Sequence, residues 1–278
     1  MEDTVLAFFA LPLQMLFGGI FIIVLVGERL GYWMWRIWHG GSTDAPNDMA
    51  MVLTSVFGLL SLLLAFTFSM AANRFEERRM LVISEANAIG TAHIRTALTD
   101  DPSGTDLRLA LEEYARIRLE FGTLSGESRW AAMERSITVR DGLAAKALAA
   151  SAAVRSPPMG PALLDSVNTV IDVGSERDAL SRTSVPYTIA CLLILLAFAA
   201  AVLLGANSTD KGRLPSFSNM FLLLLLALSM TLIADLDRPT SGNIKVSQYP
   251  MEELIEGFDA PAPPQGQALP GSEPSPST

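Results

Sequence analysis

The chain has 278 residues, of which 50% are hydrophobic and 18% charged, and its mean hydropathy is +0.36. This balance excludes an ordinary soluble protein and indicates an integral membrane protein embedded in a lipid bilayer. The net charge of −9 excludes general nucleic-acid binding, which needs a basic surface to neutralise phosphates. The single cysteine, Cys191, cannot form an internal disulfide.

Four segments are long and apolar enough to cross a bilayer core, which takes about 20 helical residues. They comprise residues 5–26, 50–72, 185–205 and 217–234. The first follows an acidic leader, MEDT, which is atypical of a cleaved signal peptide, so we expect a retained helix. Pro12, Gly18 and Gly19 in this span are candidates for a bend or a close helix contact.

Aromatic residues are concentrated between the first two spans, in GYWMWRIWHGG. Because Trp and Tyr collect at the edge of the apolar core, we expect them to form an interfacial belt, and an aromatic ligand cage is the alternative. They are Tyr32, Trp33, Trp35 and Trp38. His39 and His93 lack neighbours at ligand spacing, so the sequence predicts neither a metal nor a cofactor.

The second span ends without a helix-breaking residue. From Leu59 to Ile89 there is neither Gly nor Pro, although five of the seven residues 73–79 are charged. The pattern therefore predicts one continuous helix, inside the membrane up to about Ala72 and outside it afterwards.

The region between the second and third spans has a helical pattern throughout. In DLRLALEEYARIRLEF, residues 106–121, apolar side chains recur at steps of three and four, which predicts one buried stripe. The stripe comprises Leu107, Ala110, Leu111, Tyr114, Ile117 and Phe121. Further helices are predicted from about Glu127 to Ala153, with a weak point at Gly142, and from Ala162 to the third span.

These elements predict an all-α integral membrane protein with four transmembrane helices and a helical cytoplasmic domain between spans two and three. The domains are expected at 1–72 (two spans and the aromatic loop), 73–184 (cytoplasmic helices), 185–236 (two spans), 237–256 (a C-terminal cytoplasmic segment) and 257–278 (a disordered, Pro-rich tail). Seven Lys and Arg residues flank the spans on the side of the termini and four on the other side. This bias predicts cytoplasmic termini.

No enzymatic motif is present in the sequence. It contains no P-loop, dinucleotide fingerprint, GxSxG or HExxH, so the chain is not expected to be an enzyme. The adjacent carboxylates Glu112 and Glu113, like Glu252 and Glu253, are interpreted as solvated surface.

The stretch LLLAFTFSMAANRFEERR resembles the second membrane helix of the bestrophins. In that family the helix lines a pore neck with large apolar residues at four-residue steps, and an arginine and an aromatic residue follow eight positions after the last. Phe66, Arg74 and Phe75 match this pattern, while Leu62 and Gly58 are less bulky than the family's usual neck residues.

Two further motifs are similar to the bacterial bestrophin-like family, and the resemblance extends to about Glu253. EANAIGTAHIR contains Glu85 and Asn87; DLDRPTSG contains Asp237, Pro239 and Gly242. The acidic run that binds calcium in animal bestrophins has no counterpart here, so calcium activation is not implied.

Helical geometry places several residues of the second span within about 60° of Phe66. The hypothesised pore-lining residues are Leu59, Leu62, Phe66, Ser69, Asn73 and Glu77. Their change from apolar to polar is typical of a constriction opening into a wetter vestibule. The alternative is close packing of membrane helices through small residues such as Ala65, Ser69 and Ala72.

Two functional hypotheses follow. The resemblance implies a homo-oligomeric ion channel of a bacterial inner membrane, in which inorganic ions pass along the second span, and bestrophins share one pore among five subunits. The alternative is a non-conducting membrane scaffold whose cytoplasmic helices bind a partner. Arg74 and Glu77 suggest opposite ion selectivities.

Overall fold

The computed structural model describes residues 12–38, 47–99, 101–154, 159–183, 185–208, 215–238 and 242–259. These ranges form eight α-helices and contain no strand, which confirms the all-α prediction for the described part of the chain. In chain order they are α1 (Leu13–Trp38), α2 (Asn47–Thr96), α3 (Pro102–Thr123), α4 (Gly126–Ala152), α5 (Met159–Ser181), α6 (Tyr187–Ala206), α7 (Phe217–Asp237) and α8 (Tyr249–Asp259).

Four of the described helices, α1, α2, α6 and α7, are long and apolar enough to cross a membrane, as the sequence predicted. Residues 5–11 of the first predicted span and His39 lie outside the described residues. The aromatic residues predicted in a loop lie on α1 instead, which continues to Trp38. Trp33 and Trp38 are exposed near its end, and Arg36 donates a hydrogen bond to the Tyr32 hydroxyl (3.0 Å).

Helix α2 continues through residues 73–79 without a break, which confirms the predicted continuous helix. It contains 50 residues, and at 1.5 Å per residue this corresponds to about 75 Å. Its apolar first half belongs to the membrane bundle. Its second half packs against α3, α5 and α8.

The membrane bundle is held together mainly by the packing of α1 along α6. Gly31 and Gly205 allow this close approach, because a Cβ at either position would collide with the backbone carbonyl of Val202 or Glu28, respectively. Gly18, which the sequence suggested as a contact point, has no atom within 4 Å of the position a Cβ would occupy. The close contact at Gly31 thus lies about three to four turns after Gly18 along α1.

The helical domain consists of α3, α4 and α5 together with the second half of α2 and with α8. All members of the predicted stripe on α3 are buried, which confirms the helix face. Helix α4 runs through Gly142 without interruption, close to the predicted bounds of Glu127 and Ala153. Helix α5 begins at Met159, three residues before the expected start.

The C-terminal helix α8 docks back onto the helical domain. Met251 is fully buried, and Leu254, Ile255 and Phe258 pack against the same core. Residues 257–259 belong to this helix, so the predicted disordered tail begins too early at 257. The rest of that tail lies outside the described residues.

Candidate functional site

The hypothesised pore-lining residues all lie on one face of α2 that stays exposed in the described part of the subunit. Leu59, Leu62 and Phe66 are 57%, 53% and 65% exposed. Ser69, Asn73 and Glu77 are exposed along the same side. We call these six residues the uncovered face of α2.

The opposite side of α2 provides its contacts with the bundle. Across residues 51–73, all of which the structure describes, Leu60, Thr67 and Ala71 alone are buried. Ala65 and Ser69, which the packing hypothesis would bury, are exposed within the subunit. No described helix of this chain packs against them.

Arg74 does not share the environment of the uncovered face. Its Nη1 lies 3.8 Å from Oδ1 of Asp237, at the end of α7, and its side chain is largely buried. Glu77 is exposed one turn further along α2. Arg74 and Glu77, which suggested opposite ion selectivities in the sequence, therefore lie in different environments: Arg74 is paired and Glu77 is exposed.

The two carboxylates in the last turn of α7 accept hydrogen bonds from backbone amides. Asp235 accepts hydrogen bonds from the N–H groups of Asn243 (2.9 Å) and Ile244 (3.2 Å), and Asp237 accepts one from Val185 (2.9 Å). Gly242 is required here because a Cβ would collide with the Asp235 carboxylate. The DLDRPTSG motif thus ties the ends of two spans together.

The remaining positions of the family resemblance differ in their surroundings. Phe75 is partly buried, Asn87 is exposed, and nothing in the structure explains Asn87. Pro239 lies outside the described residues. No group of three or more potential metal ligands occurs in the described part of the chain.

Glu85 is the centre of a buried ion network that the sequence analysis did not find. Its carboxylate accepts a hydrogen bond from the Tyr114 hydroxyl (2.8 Å) and pairs with Arg118 (2.7 Å) and Arg177 (2.5 Å). Burial would raise the pKa of Glu85, but Arg118 and Arg177 outweigh burial and hold that pKa below its usual value. Burial and the neighbouring Glu85 raise the pKa of Tyr114.

Asp178 extends the network to α4. It pairs with Arg118 and Arg140 at 2.6 Å each. The network therefore connects α2, α3, α4 and α5 through side chains that are all largely buried. Arg118 lies one turn after Tyr114 on the buried face of α3. A charged residue on an otherwise apolar face indicates a buried ion pair, and this pattern is visible in the sequence.

Arg78 joins the helical domain to the membrane bundle. It donates hydrogen bonds to the carbonyl oxygens of Asp237 (2.9 Å), in the last turn of α7, and of Thr183 (2.8 Å), just after α5. Carbonyl groups at helix ends lack partners within the helix, so a buried guanidinium satisfies them well.

His93 and Glu112 form a pair that their spacing in the sequence does not indicate: Nε2 of His93 lies 3.1 Å from Oε1 of Glu112, and the two side chains are mostly buried. The interpretation of Glu112 as solvated surface is therefore wrong. The His93 ring also packs against the ring of Phe258 on α8 at a tilt of 32°, with ring centroids 4.3 Å apart. The pair joins α2, α3 and α8. Glu113 is exposed, as expected.

Solved structures share this architecture at low sequence identity. A crystal structure of a bacterial Bestrophin homolog from Klebsiella pneumoniae has a TM-score of 0.61 and 14% identity over 85% of this chain and 94% of that one. A crystal structure of a variant described only as a membrane protein has a TM-score of 0.62 and 14% identity over 87% and 96%. These likenesses establish the fold.

Sequence comparison gives the family. No curated protein sequence matches the chain. The family model of the Bestrophin-like domain matches residues 22–251, which include both the uncovered face of α2 and the buried ion network. The chain therefore belongs to the Bestrophin-like domain family.

Proposed function

We propose that this protein is a subunit of a homo-oligomeric ion channel in which the uncovered face of α2 lines the pore. The observation that carries the proposal is the exposure of that face. Only 6% of the residues in the apolar, 18-residue stretch of α2 are buried, whereas the share is 39% in α6 and 33% in α7. A span that is peripheral in the subunit is available to face the axis of an assembly. The family's resemblance to bestrophins suggests five subunits.

The composition of the face favours a pore over a lipid contact. A lipid-facing surface is apolar along its whole length, because polar groups in hydrocarbon lack hydrogen-bond partners. The uncovered face instead passes from Leu59, Leu62 and Phe66 to Ser69, Asn73 and Glu77. Such a sequence fits an apolar constriction that opens into a wetter vestibule.

We infer a preference for cations from the charges at the polar end. Arg74 lies against Asp237, whereas Glu77 is exposed on the face. In an assembly, Glu77 would form a ring of carboxylates, which favours cations. Reversal potentials under a salt gradient measure this preference, and an anion preference would contradict it.

We further propose that the helical domain and both termini are cytoplasmic, in a bacterial inner membrane, with the domain boundaries given above except that the C-terminal segment extends to Asp259. The distribution of Lys and Arg around the spans supports this orientation. A reporter fused after Glu256 should act as cytoplasmic and one inserted at Ser208 as external. Reporters that act on the same side would contradict a four-span topology.

Two measurements on the purified protein test the channel. Native mass spectrometry in detergent gives the number of subunits, and recordings in a planar bilayer detect currents under salt gradients and voltage. A defined oligomer that conducts supports the proposal. A stable oligomer that passes no current under any of these conditions would instead favour the scaffold, with the cytoplasmic helices as its binding surface.

A further inference from the structure

A pocket in the helical domain is lined by arginines rather than by paired charges. It lies between α2, α3, α4, α5 and the segment before α8, has a cavity volume of about 30 Å³, and is partly open to solvent. Its polar lining includes Arg78, Arg129, Arg177 and Gln248. None of the described residues that line it is a carboxylate. We call it the arginine pocket.

Two of the three arginines have partners in the protein. Arg177 pairs with Glu85 and donates to Gln248 Oε1 (2.8 Å), and Arg78 donates to two backbone carbonyls, which carry no charge. The nearby carboxylates of Glu85 and Asp178 are already bound by the ion network. The pocket wall therefore carries a surplus of positive charge.

Arg129 differs from the other two arginines in its surroundings. It is only 6% exposed, and among the described residues it makes no hydrogen bond or ion pair, while its Nε is buried. Its guanidinium instead lies over the rings of Phe121 (4.2 Å) and Trp130 (5.3 Å). These ring faces fix the guanidinium in place without neutralising it.

Such an arginine is electrostatically unfavourable on its own. Burial, together with Arg177, Arg118 and Arg78, outweighs the opposing effect of Asp178 and lowers the pKa of Arg129 to about 10. A buried cation normally requires an anion or several acceptors nearby. Asp178 is the nearby carboxylate, and it is already bound by Arg118 and Arg140. Since no described residue forms an ion pair or a hydrogen bond with Arg129, its charge is suited to an anion from outside the chain.

We propose that the arginine pocket binds the phosphate group of a membrane lipid headgroup or of a free phosphate. Guanidinium groups form paired hydrogen bonds with oxyanions, and three of them converge on this space. Arg78 follows Ala72 by six residues of continuous helix, or about 9 Å, so the pocket is close to the expected membrane edge. Both sources of phosphate have access at this level, and the inference does not depend on whether the protein conducts ions.

The test uses the full chain, purified with its native lipids. One arm titrates inorganic phosphate against chloride at constant ionic strength and follows binding by calorimetry. The other arm measures, by native mass spectrometry, the anionic phospholipid retained in nanodiscs containing phosphatidylglycerol and phosphatidylcholine. Arg129→Gln removes the charge. Arg135→Gln is the matched control, because Arg135 is an exposed arginine on the same helix.

We expect wild type and Arg135→Gln to behave alike and Arg129→Gln to bind about 10- to 100-fold more weakly, as for the loss of one charge-assisted hydrogen bond. An effect in the phosphate arm identifies a free phosphate as the ligand, and an effect in the lipid arm identifies a headgroup. Wild type that binds in neither arm, or Arg129→Gln that binds as wild type does, overturns the proposal.

Arg129→Lys provides a second variant if Arg129→Gln does not fold. It keeps the charge but loses the planar fork of the guanidinium, so we expect about tenfold weaker binding. Unchanged affinity in this variant would contradict a paired hydrogen bond from Arg129.

Discussion

Nε of Arg118 lies 2.7 Å from Oε1 of Glu85, and both side chains are fully buried. The pair joins α2 to α3. Arg118 also contacts Asp178 on α5, so each charge of the ion network has an oppositely charged neighbour. A buried network of this kind is much more costly to break on one side than to keep intact.

Removal of one carboxylate tests the contribution of the network. Glu85→Gln would leave Arg118 and Arg177 without their shared counter-charge, and we expect the free energy of unfolding to fall by about 3–5 kcal/mol. Denaturant unfolding of the detergent-solubilised protein measures the change. Glu113→Gln, an exposed carboxylate on α3, should change it by about 0.5 kcal/mol or less. Equal losses would contradict a special role for Glu85.

The same carboxylate makes stability depend on pH. The folded-state pKa of Glu85 lies below its ordinary value of 4.5, because Arg118 and Arg177 outweigh burial. The unfolded chain therefore binds a proton first as the pH falls, so this contribution is complete above about pH 4.5 and is lost below it. We expect the midpoint of thermal unfolding to drop between pH 5 and pH 3, at about the ordinary carboxyl range. Glu85→Gln should show a shallower drop.

Alanine substitutions at two glycines of α1 should have different effects on the stability of the protein. At Gly31 an added methyl group would collide with the backbone of Val202, which cannot rotate away, so Gly31→Ala should destabilise the bundle by about 1–3 kcal/mol. At Gly18 there is open space, and Ala should be neutral or stabilise the helix by up to about 1 kcal/mol. The thermal stabilities of the two variants are compared by heating each one and measuring, by size-exclusion chromatography, the protein that remains folded. A larger loss at Gly18 would contradict the α1–α6 contact.

Phe66→Ala distinguishes a pore wall from a packed interface. Phe66 is 65% exposed in the subunit, so the change should leave the subunit folded. If Phe66 faces the axis, a wider apolar constriction should raise the single-channel conductance while the oligomer persists. Bilayer recordings and native mass spectrometry measure the two properties together.

Leu60→Ala is the matched control for this experiment. Leu60 lies on the same helix but is 1% exposed, so its truncation should cost about 2–5 kcal/mol of stability without a specific effect on conductance. Dissociation of the oligomer by Phe66→Ala, with unchanged conductance in the oligomers that remain, would show that Phe66 packs between subunits.

The helices could be predicted from the sequence because their signals are local. An apolar run of about 20 residues predicts a span wherever it occurs, and the absence of Gly and Pro between Leu59 and Ile89 predicts the continuity of α2. The stripe on α3 depends only on a period of 3.6 residues. Each of these patterns can be recognised without knowledge of the partner against which it packs.

The ion network and the pocket depend on long-range contacts and were not predictable in this way. Glu85 and Arg177 are 92 residues apart in the chain, and nothing near either residue identifies its partner. Gly27 and Gly31 do form a local pattern, GxxxG within an apolar helix, which is typical of close helix packing in membranes. That signal was present in the sequence and indicates α1 as a contact helix, although it does not identify α6.

The unbroken course of α2 also has a mechanical consequence. Its membrane half and its outer half share one hydrogen-bonded backbone, so neither half can rotate about the helix axis without the other. A tilt of about 5° around the midpoint of a 75 Å rod displaces each end by about 3 Å. Because Glu85 fastens the outer half to α3 and α5, a force applied to those helices moves Phe66 as part of the same rigid body.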